Sequence, residues 1–416
     1  MTGENTVIDL KALGDANRIN ILRLIHENSG ISRTDLSQMI NLSLSAVSRI
    51  VKQLIEEDYI LETGLGDSSG GRKPVSLMAN PRAGYVIGVD FSKTVVNTAV
   101  FDFTGEMIFR NAAVVHDSEY LVSLYESIDK CVQSLEDRSK LLIIYCGIRG
   151  QFDGSTGTIL YSKTFGWENI PLKQLLLDRY KVPVALDINA RLAALGEWST
   201  IYKESYKEMV YITTSWGICA GIISNGALYR GAVGMAGEIG NTLSFNASGV
   251  LEEHNLEESC GGQMLIRRAQ ELWDNPSNTL LKKLSAGEKS KVTVESIVAA
   301  VNNGDPFCTQ IAQEAAVVLA IGLFNVAYMY NPQIIVIGGL MSEMGEVILA
   351  PIRQFLEKRL PAPMYKNLRL ELTVLGSRAS LVGAAQAAFG LVFSSPINSS
   401  DSGENICFDD KRLRSY

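Results

Sequence analysis

The stretch from Tyr211 to Asn241 reads YITTSWGICAGIISNGALYRGAVGMAGEIGN. Two β-rich runs, Val210–Thr214 and Ala220–Ser224, precede Asn225-Gly226, a dipeptide that suits the positive-φ positions of a tight turn. Small residues then lead to Gly237-Glu238-Ile239-Gly240, where glycines allow a polar ligand to approach a carboxylate. The pattern predicts two strands and a loop that form one wall of a cleft. Spacing alone fits an ordinary glycine-rich turn region at least as well as a ligand-binding cleft. Motifs elsewhere in the chain are needed to distinguish these two interpretations.

Length and composition indicate a globular protein of more than one domain. The chain has 416 residues, 46% of them hydrophobic and 20% charged, and should divide into two or three domains. Its N-terminus lacks a basic start followed by an apolar segment, and no run of about 18 apolar residues is present. We therefore expect a cytoplasmic protein with no membrane partner. The six cysteines form no C-x-x-C pair and are expected to be reduced.

The first 80 residues predict a winged helix-turn-helix. Apolar spacing predicts three short helices, and Ser32, with Asp35 three residues later, is a candidate N-cap for the second. A tight turn before the third helix completes the helix-turn-helix. Two strands around a glycine-rich tip form the wing. The predicted helices cover residues 9–28, about 33–40 and 44–57, and the predicted strands cover 59–62 and 75–78.

The outward face of the third helix is the predicted DNA-reading surface. Small residues at its start allow close approach to the major groove, and Arg49 can reach guanine or phosphate. Two cations at the wing tip suit the minor groove or the DNA backbone. The net charge of −7 argues against broad affinity for nucleic acid, and residues 1–80 are not basic overall, so a domain for protein contacts is the alternative. The predicted DNA-contacting residues are Arg33, Ser43, Ser45, Ala46, Ser48, Arg49, Lys52, Arg72 and Lys73.

From Tyr85 onward the pattern changes to a strand, a hairpin, a further strand, a helix and a strand. This order is that of the actin-like, ribonuclease-H-like fold of sugar kinases. The expected fold class is α/β, with a winged helix-turn-helix followed by a two-lobed body. The predicted domains are residues 1–80, a first lobe at 85–200 to which the last helix at 378–393 returns, a second lobe at 201–377, and a flexible tail at 394–416.

The order and spacing of the motifs resemble the ROK family of repressors, open reading frames and sugar kinases. The N-terminal part carries S-R-x-x-L from Ser32, L-S-x-x-x-V-S-R from Leu42 and G-G-R-x-P from Gly70, and the body carries G-E-x-G from Gly237. The resemblance extends from about residue 10 to residue 393. It implies a regulator with a DNA-binding head and a body derived from a sugar kinase.

The resemblance implies that the kinase chemistry is altered. Kinases of this family hold phosphates with the turns D-x-G-G-T-K and G-T-G-x-G-A-G, because glycines let backbone amides approach the oxygens. The matching runs are residues 90–94, which have lost both glycines, and 215–221, where Trp216 fills a usual Thr position. Gly338-Gly339 keeps the third nucleotide motif. The catalytic Asp corresponds to Asn189, whose amide cannot take a proton near neutral pH, and Asp187 is not expected to replace it. We therefore expect no catalytic residue and no cofactor.

The zinc site of the family is also expected to be absent. Its His in G-E-x-G-H corresponds to Asn241, and the segment that matches its three cysteines, residues 243–257, contains none. Cys260 and His254 have no partners at a ligand spacing, whereas a closed zinc site needs four ligands.

Several positions that contact sugar in the family keep suitable groups. Glu238 and Glu257 would accept hydrogen bonds from hydroxyls, although both also fit surface loop acids. Arg149 replaces a Pro and Ile188 replaces an Asn of the family pattern. These changes indicate an altered ligand, such as a sugar phosphate or acid, unless Arg149 is a solvated loop residue. The implied effector contacts are Gly150, Asn189, Glu238, Asn241 and Glu257.

These features predict a repressor of carbohydrate genes with a sensor that no longer phosphorylates sugar. Sugar binding between the lobes would change their closure and the spacing of two DNA-reading heads, which requires different affinities for the two states. A homodimer or higher assembly is expected, because paired recognition helices match half-sites about 34–36 Å apart. The alternatives are an active ATP-dependent sugar kinase with a DNA-binding domain, and a ligand-independent repressor whose body is a dimerisation scaffold.

Overall fold

The computed structural model describes residues 10–65, 75–116, 119–245, 251–277 and 279–394. The chain divides into two units. The first comprises Met1–Cys146, Phe152–Leu186 and Ala384–Tyr416, and the second comprises Gly147–Gln151 and Asp187–Gly383. The finer domain boundaries taken from the sequence remain predictions. Arg72, Lys73 and nearly all of the tail, residues 395–416, lie outside the described residues.

The first unit begins with the winged helix-turn-helix. Ser32 caps the second helix in a capping box with Asp35, as the sequence predicts. Ser43 caps the third helix through the backbone amide of Ala46. The strands form a three-stranded sheet in the order β1-β3-β2. The elements are α1 (Leu10–Glu27), β1 (Ile31–Ser32), α2 (Arg33–Ile40), α3 (Leu44–Glu56), β2 (Ile60–Leu65) and β3 (Val75–Ala79).

The end of α1 packs into an aromatic cluster that includes residues from the body of the unit. The His26 ring lies 4.7 Å from Phe389, 4.9 Å from Phe393 and 6.1 Å from Phe103, measured between ring centroids. Tyr59 contacts Phe103 from the start of the wing. The three phenylalanines are buried. The head therefore shares part of its core with the lobe that follows it.

A five-stranded sheet in the order β11-β7-β4-β5-β6 forms the body of this unit. The predicted succession of strands and helix is confirmed. A small second sheet in the order β10-β9-β8 was not predicted. The elements are β4 (Tyr85–Phe91), β5 (Val95–Asp102), β6 (Met107–Val114), α4 (Tyr120–Gln133), β7 (Leu141–Ile148), β8 (Gln151–Asp153), β9 (Thr158–Ser162), β10 (Trp167–Ile170), α5 (Leu172–Tyr180) and β11 (Val184–Ile188).

The second unit also contains a five-stranded sheet, with the strands in the order β14-β13-β12-β17-β18. Its elements are α6 (Asn189–Glu197), β12 (Met209–Thr214), β13 (Ile218–Ser224), β14 (Ala227–Tyr229), β15 (Leu243–Phe245), β16 (Leu251–Asn255), α7 (Leu256–Cys260), α8 (Gly262–Glu271), α9 (Leu280–Leu284), α10 (Val294–Asn302), α11 (Pro306–Tyr330), β17 (Ile334–Gly338), α12 (Glu346–Arg359), α13 (Ala362–Asn367) and β18 (Arg369–Leu372). The last helix, α14 (Ala379–Val392), begins in this unit, and its residues from Ala384 onward belong to the first unit.

One prediction in the second unit, the pair of strands around Asn225-Gly226, needs correction. Asn225 and Gly226, with φ of 53° and 74°, form the turn between β13 and β14, a third strand that the sequence pattern did not distinguish. Among the described helices, α11 has the length and hydropathy of a membrane span. Its buried faces form the centre of the core in this unit, which accounts for that composition.

Candidate functional site

The outward face of α3 presents the predicted DNA-reading residues. Ser45, Arg49 and Lys52 are exposed, while Ala46 and Ser48 are half-buried. The Lys52 ammonium lies 3.6 Å from Glu56 in an exposed pair, which is worth little in water. The described part of the chain contains no ion pair or hydrogen bond for the Arg49 side chain. Arg49 is therefore free to bind an anion or a base edge.

Arg33 has a partner that the sequence pattern did not indicate. Its guanidinium lies 2.5 Å from the carboxylate of Glu62 on β2. An acidic side chain, that of Glu62, therefore lies beside one of the predicted DNA-contacting residues. Arg33 would have to exchange this partner for a DNA phosphate.

A buried charge cluster stands at the start of α6 in the second unit. Asp187 is 2% exposed. The Nε of Arg191 donates to its Oδ1 at 2.5 Å, and the Nη2 of Arg230 donates to its Oδ2 at 3.1 Å. Burial alone would raise the pKa of Asp187, but the two guanidinium groups hold it below its usual range. Asp187 is therefore a fixed anion, which supports the prediction that it does not replace the missing base.

The same arginine holds the loop that leads to Glu238. The Nη1 of Arg191 donates to the carbonyl of Gly234 at 2.5 Å. Gly237 closes the loop with a φ of 95°. A Cβ at this position would lie 2.0 Å from the carbonyl oxygen of Ala220, so only glycine fits. Contacts at Gly234 and at Gly237 therefore hold the loop in place, and Glu238 is the residue directly after it.

Glu238 is a half-buried acceptor in a polar setting. Its Oε2 accepts from the Nδ2 of Asn241 at 3.1 Å, and its Oε1 lies 3.8 Å from the Sγ of Cys219. Burial raises the pKa of Glu238 above its ordinary value. Asn241 therefore orients Glu238 from the position at which the family has a zinc ligand. A carboxylate held in this way can accept hydrogen bonds from hydroxyl groups.

Asn189 and Gly150 also belong to the second unit. Asn189 is the first residue of α6, is 8% exposed, and has no side-chain hydrogen bond among the described residues. Gly150 has a φ of 121°. The neighbouring Arg149 has a buried Nε without a hydrogen-bond partner in the described part of the chain. A buried polar group without a partner needs an explanation, and a bound ligand would provide one here.

Glu257 has a backbone partner that the sequence pattern did not indicate. Its Oε2 accepts from the backbone amide of Ile218 at 2.9 Å. Ile218 lies in the turn that matches the phosphate-binding turn of the kinases. One acceptor site of the Glu257 carboxylate therefore binds the protein backbone, and its remaining lone pairs keep the predicted capacity to accept hydrogen bonds from hydroxyls.

The nucleotide turns do not fit a phosphate. The amide of Leu340, next to the intact Gly338-Gly339 motif, donates to the Oγ of Ser215 at 3.0 Å. Trp216 packs against the hydrophobic core. Two amides near these turns are thus satisfied by side chains, one of which is a carboxylate that would repel phosphate. The residues present do not form a nucleotide site of the kinase type.

The residues at the zinc positions do not fit a zinc ion either. The Sγ of Cys260 is buried and donates to the carbonyl of Leu256 at 3.2 Å. Burial raises the pKa of this thiol, whereas zinc binds the thiolate. Within the described ranges, no group of three or more His, Cys, Asp or Glu side chains could hold a metal ion. The side chain of His254 lies outside the described residues.

Sequence reasoning missed the roles of Arg191, Arg230 and Cys219. One signal was available for Arg191, because it stands only four residues after Asp187, across the junction of β11 and α6. Arg230 is 43 residues away from Asp187, and no local pattern connects them.

Comparisons with known proteins agree with this architecture. A family model described as ROK family matches residues 86–389, and one described as winged helix-turn-helix DNA-binding matches residues 15–60. The xylose repressor of Caldicellulosiruptor bescii is 30% identical over 397 residues, which cover 92% of this chain and 98% of the repressor.

Solved structures with a similar fold include a protein described as a regulator and one described as a kinase. A ROK family transcriptional regulator, a homologue of the E. coli MLC protein, has a TM-score of 0.70 and 23% identity, and the match covers 91% of this chain and 97% of that one. A ROK family glucokinase from Streptomyces griseus, in complex with glucose and AMPPNP, has a TM-score of 0.65 and 25% identity over 73% of this chain and 99% of that one. The predicted fold class, a winged helix-turn-helix with an actin-like sugar-kinase body, is confirmed.

Proposed function

Because the chain belongs to the ROK family, we propose that it is a DNA-binding transcriptional repressor of carbohydrate genes whose body binds a sugar or sugar derivative. The observation that carries the proposal is the presence of both parts in one chain. A repressor aligns with 92% of the chain, including the head, whereas the glucokinase structure covers 73%. The head also has the free Arg49 on its recognition helix.

The proposed body senses sugar without phosphorylating it. Asn189 stands at the base position, and an amide cannot accept the proton of a sugar hydroxyl near neutral pH. The amides of Ile218 and Leu340 are engaged by Glu257 and Ser215. These features support loss of transfer chemistry, while Glu238, Asn189 and Asn241 keep polar groups for a sugar.

Effector binding would control DNA affinity by shifting the protein between two states. A sugar can do so only if it binds one state more tightly than the other. We propose that the protein acts in the cytoplasm as a homodimer, since two recognition helices are needed to match two half-sites. The loop that precedes Glu238, which Arg191 holds through Gly234, is the element that would transmit the effect of ligand binding to the rest of the unit.

Selection of target DNA by the full chain, followed by ligand screening, tests this function. The purified protein is incubated with a pool of randomised duplexes, and its affinity for the enriched duplex is measured with monosaccharides, sugar acids, sugar phosphates and ATP. We expect one enriched sequence and one sugar class that changes its affinity and raises the melting temperature of the protein.

Other outcomes favour the alternatives. Sugar-dependent formation of ADP would revive the kinase. Enrichment of a duplex without a response to any sugar would favour a ligand-independent repressor that uses its body as a scaffold. Failure to enrich any duplex would contradict the DNA-binding function itself.

A further inference from the structure

Leu44 is an exposed apolar side chain at the start of the recognition helix. It is the first residue of α3 and is 50% exposed. The core of the head is formed without it, since the buried residues of α3 are Val47, Ile50, Val51 and Leu54. Single exposed leucines are common on protein surfaces, so the position of Leu44 must decide whether it has a role.

Leu44 lies on the same side of α3 as the polar residues of the reading surface. Leu44, Ser48 and Lys52 follow each other at intervals of four residues and therefore form one row along the helix. Arg49, which has no partner in the described part of the chain, is adjacent to this row. The apolar side chain thus belongs to the face that would meet DNA.

The first turn of α3 is held in a defined geometry. The Oγ of Ser43 accepts from the amide of Ala46 at 3.2 Å and lies 3.0 Å from the hydroxyl of Ser45. Residues in the first turn of a recognition helix contact base edges in the major groove. Ser45 and Ala46 are short, so Leu44 has the longest side chain in this turn on the exposed face.

The major groove offers one apolar group for such a side chain to bury. Among the base edges exposed there, only thymine carries a methyl group, at C5, and aliphatic side chains contact it. Charged Arg49 and Lys52 would bring the helix to the phosphates. An apolar side chain on the same face would then gain from leaving water only where an apolar group, such as this methyl group, replaces the water.

Resting on the proposed DNA-binding function, we propose that Leu44 reads a thymine in each half-site by packing against its C5-methyl group. This contact is separate from any hydrogen bond made by Arg49. It adds a preference for thymine at one position of the half-site, and it makes Leu44 a residue that determines sequence specificity.

Replacement of thymine by deoxyuridine tests the contact, because it removes the methyl group and keeps the base pair. Each thymine of the duplex enriched by the wild-type chain is replaced in turn, and the affinity of the full chain is measured. One position in each half-site should weaken wild-type binding about fourfold, the value of one buried methylene-sized group. The Leu44→Ala variant should bind the unmodified duplex about fourfold more weakly than the wild type does. Its affinity should not fall further when the thymine at that position is replaced by deoxyuridine.

A matched control distinguishes reading from general loss of affinity. Ile108 on β6 is 51% exposed, so Ile108→Ala removes an equally exposed apolar side chain outside the head and should leave the whole deoxyuridine profile unchanged. The proposal is overturned if the wild-type and Leu44→Ala profiles coincide at every thymine while a specific duplex is still bound. If the wild-type chain enriches no duplex, both the proposed function and this contact are rejected.

Discussion

The carboxylate of Asp187, near the end of β11, and the guanidinium of Arg191, in the first turn of α6, form a buried pair, with Nε and Oδ1 2.5 Å apart and each side chain 3% exposed. The guanidinium of Arg191 also donates to the carbonyl of Gly234. Asp187 binds Arg230 as well. The start of α6, which carries Asn189, and the loop before Glu238 are therefore tied by one charge cluster.

Arg191→Met should destabilise the protein by about 3 kcal/mol, because it leaves Asp187 buried with one partner fewer and Gly234 without its donor. Chemical denaturation measures the free energy of unfolding. The control is Arg353→Met, whose exposed pair with Glu346 should contribute less than about 1 kcal/mol. Equal stability of the two variants would contradict the role of the cluster.

Glu238→Gln should weaken effector binding about tenfold to a hundredfold, because a neutral amide replaces a charged acceptor of hydroxyl protons. Affinity for DNA without effector should not change. Titration calorimetry with the sugar found by screening measures the loss. Glu295→Gln, at an exposed position on α10, serves as the control, and an unchanged effector affinity in Glu238→Gln would remove this residue from the site.

Asn189→Asp should not create a sugar kinase. The variant restores a carboxylate at the base position, but the amides of Ile218 and Leu340 still bind Glu257 and Ser215 instead of phosphate. A coupled assay for ADP, run with a panel of sugars, should give no signal above the wild-type chain. Sugar-dependent turnover by this variant would show that the turns still accept a nucleotide.

Arg49→Ala should lower DNA affinity about tenfold at physiological salt. If the guanidinium contacts phosphate, the slope of log affinity against log salt should also fall by about one, and if it contacts a base, selectivity should fall instead. Fluorescence anisotropy at several salt concentrations separates these cases. Arg179→Ala, whose charge is paired with Asp129, should bind DNA as the wild type does.

Acid should destabilise the aromatic cluster around His26. Burial lowers the pKa of His26 from 6.5 to about 4, so the unfolded chain binds a proton more readily than the folded one between these values. The free energy of unfolding is therefore unaffected by His26 above pH 6.5. It falls as the pH drops toward 4, and the loss is about 2 kcal/mol at pH 5. His26→Leu should flatten this part of the profile measured by denaturation at several pH values. An unchanged slope would place the acid sensitivity elsewhere.

The local elements could be predicted from the sequence because their signals lie within a few residues. The Ser32 and Asp35 pair marks a helix start, and Asn225-Gly226 marks a turn, since each fixes backbone geometry over a short span. Which strands this turn joins could not be predicted, because a β-rich run does not show which other strand it pairs with.

The contacts that decide the site join residues far apart in the chain. Glu257 binds Ile218 across 39 residues, and Arg33 meets Glu62 across 29. Motif matching could place Glu257 and Asn189 at their positions in the family pattern. It could not tell which atoms their side chains bind, since that depends on how the packed elements bring them together.

His26, Phe103, Phe389 and Phe393 come from the head, the first lobe and the last helix, yet they form one cluster. A head of this kind is not an independent domain that can be moved unchanged to another protein. Grafting it onto another sensor would expose one side of a shared core unless the recipient supplied matching aromatic residues. Exchange of DNA specificity between such proteins should therefore proceed by substitution on α3 more readily than by recombination at the junction near residue 80.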